Sequence, residues 1–281
     1  MRGAILGLTA AFSVLAVLPA ARAGTPYPVK MKCAVGGEAF THTATGSYST
    51  WGSRPDGKPY GSWIFPMPLP VCPGNGLVMY RDFDKAEIAA LTGLVASPEY
   101  KALVAAKETP YYRAAWLEGR LKPGSEDVPW ILLQATWEAD DEPARQARYD
   151  REFVAAANAQ PAKPTELIWA VLQARAANAE RQLGDFDAAA RRLAAVDPAV
   201  FQPRTDGQPD PDAKNRPGWA AFYKELSVVI ARRDPAREPL DMIDEGQAAW
   251  LCKQMPDRSK AQPAGFCERP EIAKRTAEMR D

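Results

Sequence analysis

Apolar positions recur at helical spacing through most of the chain beyond Asp82, whereas before it they fall in short runs broken by Gly and Pro. Asp84 stands where a helix cap would, followed by Ile88, Leu91 and Leu94. Ser97-Pro98-Glu99 reads as an N-cap, a first-turn proline and a first-turn acid, and Thr109-Pro110 repeats that start ahead of a face made by Tyr112, Trp116 and Leu117. Glu166 to Leu183 predicts a long helix ended by Gly184, with Asp185 or Asp187 capping the next. One pattern is written twice: Trp130-Ile-Leu-Leu-Gln-Ala135 returns 39 residues on as Trp169-Ala-Val-Leu-Gln-Ala174. Each copy is followed by a polar break, a second apolar-periodic segment and a proline, Pro161 or Pro198. That is the grammar of stacked helix pairs, in which one pair cannot bury its apolar face alone.

The second copy, with Leu183-Gly184-Asp185-Phe186 followed by Ala189, Leu193 and Val196, resembles the turn and second helix of a tetratricopeptide repeat. The fold class expected is mainly α: a tetratricopeptide-like helical-hairpin array carrying a small β-rich, disulfide-stapled N-terminal module. The expected division is a signal peptide at 1–23, the β-rich module at 24–81, the helical array at 82–202, a Pro-rich loop at 203–217 and C-terminal helices at 218–281. In the β-rich part, Pro28 to Cys33, Ala39 to Thr45 and Ser62 to Phe65 are strand-like, separated by the turn formers Gly36-Gly37 and Arg54-Pro55-Asp56-Gly57. Such a sheet is too small to stand without a staple or a neighbouring helix. Gly218 to Arg232 and Asp241 to Gln254 read as further helices, and Glu271 to Arg280 as a charged, frayed tail helix.

Met1-Arg2-Gly3, the uncharged apolar run from Ala4 to Val17 and Ala21-Arg22-Ala23 read as a secretory leader cut after Ala23. The mature protein is therefore expected in the periplasm or outside the cell, with no transmembrane span. Loss of Arg2 and Arg22 turns a formal charge of zero into −2. That balance offers no field for nucleic acid or an anionic membrane.

In an exported chain the four cysteines are weighed as disulfides before metal ligands. Three connectivities are open, and proximity favours Cys33 with Cys72 and Cys252 with Cys267. Lys32-Cys33-Ala34-Val35-Gly36-Gly37-Glu38-Ala39-Phe40, Val71-Cys72-Pro73-Gly74-Asn75-Gly76-Leu77 and Arg81-Asp82-Phe83 together resemble the uncharacterised bacterial domain-of-unknown-function family 2225. Its members carry two CPxCG knuckles ahead of a tetratricopeptide-like region. The resemblance implies a zinc-knuckle ancestry without a zinc site, because the second ligand of each knuckle is here Gly36 or Asn75. It implies a Cys33–Cys72 bridge where the metal would have been, and it carries no activity.

Candidate chemistry is sparse. His42, the only histidine, could join Cys33 and Cys72 with Asp56 or a water as a metal site, but the spacing is unlike known ligand sets, and a strand histidine is the simpler reading. No Gly-x-Ser-x-Gly elbow supports a serine hydrolase. Glu118, Glu126, Asp127, Glu138, Asp140 and Asp141 could serve a glycan hydrolase, but the Glu138 to Glu142 cluster reads first as helix capping. Asp206, Asp210 and Asp212 fail as a calcium loop, since Pro211 and Pro217 fall at its sixth and twelfth positions. Trp116, Trp130, Trp137, Trp169, Trp219 and Trp250 are expected mostly in the core, whereas Tyr48, Trp51, Tyr60 and Trp63 form a possible exposed binding surface. The function expected is a non-enzymatic scaffold for a protein or peptide of the cell envelope, without a cofactor. A glycan-directed hydrolase using acidic residues is the alternative.

Overall fold

The computed structural model describes residues 24–204, 207, 209–254 and 265–279. The expected leader, Asp206 and Arg280 lie outside them.

Strands β1 (Pro26–Lys32) and β2 (Ala39–Thr45) form an antiparallel hairpin, in register from Pro26 opposite Thr45 to Lys32 opposite Ala39. Strands β3 (Thr50–Ser53) and β4 (Pro59–Gly61) form a second one through the Arg54–Gly57 turn. The β-rich part is thus two separate two-stranded sheets and not one. Ser62 to Phe65 is not a strand. Pro66, Pro68 and Pro70 stand at alternate positions just beyond it, and a chain that lacks every second N–H on one edge cannot continue a ladder.

Ten helices follow among the described residues. They are α1 (Lys85–Ala96), α2 (Pro98–Ala105), α3 (Pro110–Leu121), α4 (Asp127–Glu138), α5 (Pro143–Asn158), α6 (Leu167–Gln182), α7 (Phe186–Ala194), α8 (Arg216–Ala231), α9 (Glu245–Gln254) and α10 (Pro270–Glu278). Single 3₁₀ turns lie at Pro198–Phe201 and Leu240–Met242. The start signals act as read. Asp84 accepts from the Glu87 N–H at 2.8 Å while the Glu87 carboxylate accepts from the Asp84 N–H at 3.0 Å, a reciprocal capping box. Ser97, Thr109 and Asp185 cap α2, α3 and α7.

Two boundaries and the state of the tail differ from expectation. Helix α8 begins at Arg216, inside the expected Pro-rich loop, because Pro217 in a first turn forfeits no helical hydrogen bond. The expected helix from Asp241 is broken: Asp244 accepts from the Gln247 N–H at 3.0 Å and starts α9 afresh. The tail helix is docked instead of frayed, since Ile272 enters a small core with Leu240, Leu251 and Phe266, closed by the Cys252–Cys267 disulfide.

Helices α3 to α8 pack mainly on their neighbours in sequence. The two copies of the repeated pattern head α4 and α6, each paired with the helix after it. Helix α6 is central, and its alanines at 170, 174, 176, 177 and 179 are all buried. Small side chains let α5, α7 and α8 approach it closely. Five of the six helical tryptophans are at least partly buried against a core cluster; Trp250 is exposed. The N-terminal module has no core of its own: Cys33, Cys72 and Leu77 share one with Leu91, Tyr100 and Leu117. Staple and neighbouring helix are both present. No described helix is long and apolar enough to cross a membrane.

Candidate functional site

Cys33 and Cys72 are joined with their Cα atoms 5.6 Å apart, and both are buried. The two turns are built alike: the Cys33 N–H donates to the Glu38 carbonyl and the Cys72 N–H to the Leu77 carbonyl, each at 2.8 Å. Gly36, Gly37 and Gly76 sit at positive φ, where residues with a Cβ are strained. The Asn75 amide donates to the Val35 carbonyl at 3.0 Å, and a Cβ at Gly36 would lie 3.9 Å from the Asn75 amide nitrogen. All four positions that would carry ligands in a pair of knuckles therefore converge. Because both sulfurs bond each other, they are not available to the site considered with His42, which lies partly buried on β2. No cluster of metal-binding side chains occurs among the described residues.

The β3–β4 turn drives charge into the helical array. Arg54, Asp56 and Lys58 lie on it, and the contacts of Arg54 and Lys58 with Asp140 draw both cations to one side. Arg54 donates to Asp56 and, at 2.7 and 3.1 Å, to both oxygens of Asp140 just beyond α4. Lys58 reaches the same carboxylate at 2.6 Å and the Trp137 carbonyl at 3.1 Å. From α6, Arg175 donates to the Pro55 carbonyl with its guanidinium 4.9 Å from the Trp219 ring centre and 5.0 Å from that of Phe222. Gly57 has φ +92°, and a Cβ there would lie 3.1 Å from that guanidinium. Beneath them Asp150 is buried; desolvation and then the Asp56 charge push its carboxyl up to about 7.

Beside this network opens a cleft of about 490 Å³, with Phe65, Pro66, Pro68 and Trp137 among its walls and Glu138, Asp140 and Asp141 on one side. Glu138 accepts from the Tyr111 N–H at 2.9 Å, so it caps the first turn of α3 rather than its own helix or the next. Burial raises its carboxyl above the usual range despite that donor. Asp140 moves the other way: burial would raise it, but Arg54 and Lys58 outweigh burial and hold it low. Ile64, on the cleft wall, is 69% exposed; Tyr48, which meets the cleft residue Phe65 edge-on at 5.5 Å, and Trp51 on β3 are 51% and 55% exposed. Tyr60 and Trp63, the other two expected surface aromatics, are partly buried, Trp63 against the Gly24 backbone.

The remaining acidic candidates lie elsewhere. Glu118 is fully buried on α3 and accepts from Tyr80 at 2.7 Å, Arg81 at 2.9 Å and Ser125 at 3.0 Å. Burial opposes its ionisation, but those donors win and keep its carboxyl below the usual range. Glu126 pairs with Lys163 at the surface, Asp127 sits in the first turn of α4, and Asp210 is paired with Arg216. The residues that sequence reasoning passed over are Arg54, Lys58, Asp150 and Arg175. The one local signal was the alternation of opposite charges at 54, 56 and 58. No protein-family model matches this chain, and no match to it was found among curated proteins or among solved structures.

Proposed function

We propose that this chain is an exported, non-enzymatic binding protein that receives a protein or peptide segment in the cleft between its β-rich module and its helical array. The observation that carries this reading is a set of uncovered apolar side chains, Ile64 on the wall of the cleft, Tyr48 against its Phe65 and Trp51 on β3, while Lys58 and Asp140 of the cleft are paired within the fold. Large aromatics left uncovered near a preformed cleft are the usual anchors of an interface. The exposed Asp141 at the cleft favours a segment carrying a lysine or arginine beside its apolar residues. On this reading the α4–α5 and α6–α7 pairs are tetratricopeptide-like units, and the leader delivers the protein to the periplasm. The N-terminal module is a zinc-knuckle relative of the family 2225 type whose metal was replaced by a disulfide. The convergence of Cys33, Gly36, Cys72 and Asn75 supports that descent.

The test is a photo-cross-linking residue at Ile64 in cells exporting the protein. A discrete adduct that disappears with Trp51→Ala and Tyr48→Ala supports the reading. Adducts that form equally well in both variants refute it. One observation favours a second reading, a glycan hydrolase: Glu138 held high and Asp140 held low in one cleft is the arrangement by which paired carboxylates divide acid and base roles. Glycan release that is lost in Glu138→Gln and kept in Glu118→Gln would select it. Absence of release by the native protein leaves the binding reading.

A further inference from the structure

A second cavity, of about 750 Å³, lies between the Cys72 turn and helices α1 and α2. Its walls are largely aliphatic, with Val35, Val71, Val95 and Val104 among them, and its only charged lining residues are Lys101 and Arg113. No acidic side chain lines it; the nearest on the turn, Glu38, is held by the Gly74 N–H at 2.7 Å. Arg113 is more than nine-tenths buried, yet among the described residues it has no carboxylate bonded to it. Its Nη1 donates to the Gly76 carbonyl at 2.8 Å and its Nε to the Glu108 carbonyl at 3.1 Å. The Tyr100 hydroxyl also bonds with the guanidinium, and the Glu138 carboxylate acts on it only from a distance. Buried arginines are ordinarily paired with an anion, because two neutral carbonyls compensate the lost hydration of a full charge poorly. Lys101 likewise has no acidic partner among the described residues.

The geometry points to a binding site for an aliphatic carboxylate, its chain along the valine walls and its carboxylate on the guanidinium of Arg113, with Lys101 at the mouth. The site is separate from the junction cleft and does not depend on the function proposed for it. Gly76 shapes it: at φ +71° it lets its carbonyl face Arg113, and a Cβ there would lie 2.9 Å from Val104. The disulfide holds that turn in place from behind.

The probe is decanoate, titrated calorimetrically into the full mature chain, beside decanol and decyltrimethylammonium. Decanoate is expected to bind at least about tenfold more tightly than decanol, the factor corresponding to one charge-assisted hydrogen bond, and the cation not at all. Lys101→Ala, at an exposed position, should weaken decanoate and leave decanol unchanged. Val104→Trp, which fills the cavity from α2, should abolish both while the melting temperature stays near that of the native chain. Arg113→Gln is set aside as the primary test because it also releases two carbonyls. Equal affinity for decanoate and decanol, no decanoate binding, or binding that survives Val104→Trp would each overturn the inference.

Discussion

The side-chain amide of Asn75 donates to the carbonyl of Val35 at 3.0 Å, bridging the two N-terminal turns that the Cys33–Cys72 disulfide also joins. The same Asn75 side chain accepts from the Leu77 N–H at 2.9 Å, so it fixes its own turn as well as the facing one. Asn75→Ala should therefore cost about 1–2 kcal/mol, the range for removing a partly buried amide with two partners. Urea unfolding of the oxidised protein measures it. A cost near zero would mean that the disulfide alone sets the distance between the turns.

Gly57 joins the module to the array through backbone shape. Any side chain there meets the Arg175 guanidinium at 3.1 Å and is strained at φ +92°. Gly124→Ala, at φ +82° with open space around it, is expected to lose about 1–2 kcal/mol, and Gly57→Ala, with the same strain and the close approach, about 2–4 kcal/mol. The difference between the two variants in thermal unfolding isolates the close approach from the strain.

Asp150 makes stability depend on pH in the direction opposite to an ordinary paired carboxylate. Its folded pKa, near 7, lies above its unfolded value of 3.8, so the folded state holds the proton more tightly. The stability this contributes is present below pH 4 and declines as the pH rises through 7. Asp150→Asn should accordingly stabilise the protein at pH 8 by about 1–3 kcal/mol, with the gain shrinking toward pH 5. Melting curves of both proteins across that range decide it, and a gain independent of pH would count against the assignment.

Glu118 shows the usual sign. Its carboxyl is held below the unfolded value by Tyr80, Arg81 and Ser125, so its contribution is full above the unfolded pKa and is lost as the pH falls through the folded one. Glu118→Gln leaves Arg81 with Glu87 alone and should cost about 2–3 kcal/mol at pH 7, less at pH 3. Chemical denaturation at the two pH values tests both the size and its decline.

Much of the architecture was legible because it is encoded locally. Asp84, Ser97, Thr109 and Asp185 satisfy N–H groups within three residues of themselves, so the starts of α1, α2, α3 and α7 can be read from a short window. The repeated Trp–Leu–Gln–Ala pattern marked α4 and α6 for the same reason. The two disulfide pairings followed from proximity along the chain. Where long-range packing decides, local reading fails: the tail of the chain is charged enough to suggest fraying, yet Ile272 alone gives α10 a buried anchor.

The chemistry of single carboxylates was set almost wholly by tertiary structure. Glu118, Glu138 and Asp140 are alike in sequence, three acids at or beyond the ends of helices. One is buried among donors, one is buried against a single N–H, and one lies between Arg54 and Lys58 brought from more than 80 residues away. Hydrophobic period and backbone capping are properties of neighbouring residues, and the sequence by itself determined them. Desolvation and Coulomb attraction depend on distance through space, so which acids are neutralised, and which cavity a buried arginine faces, were decided only when the chain closed on itself.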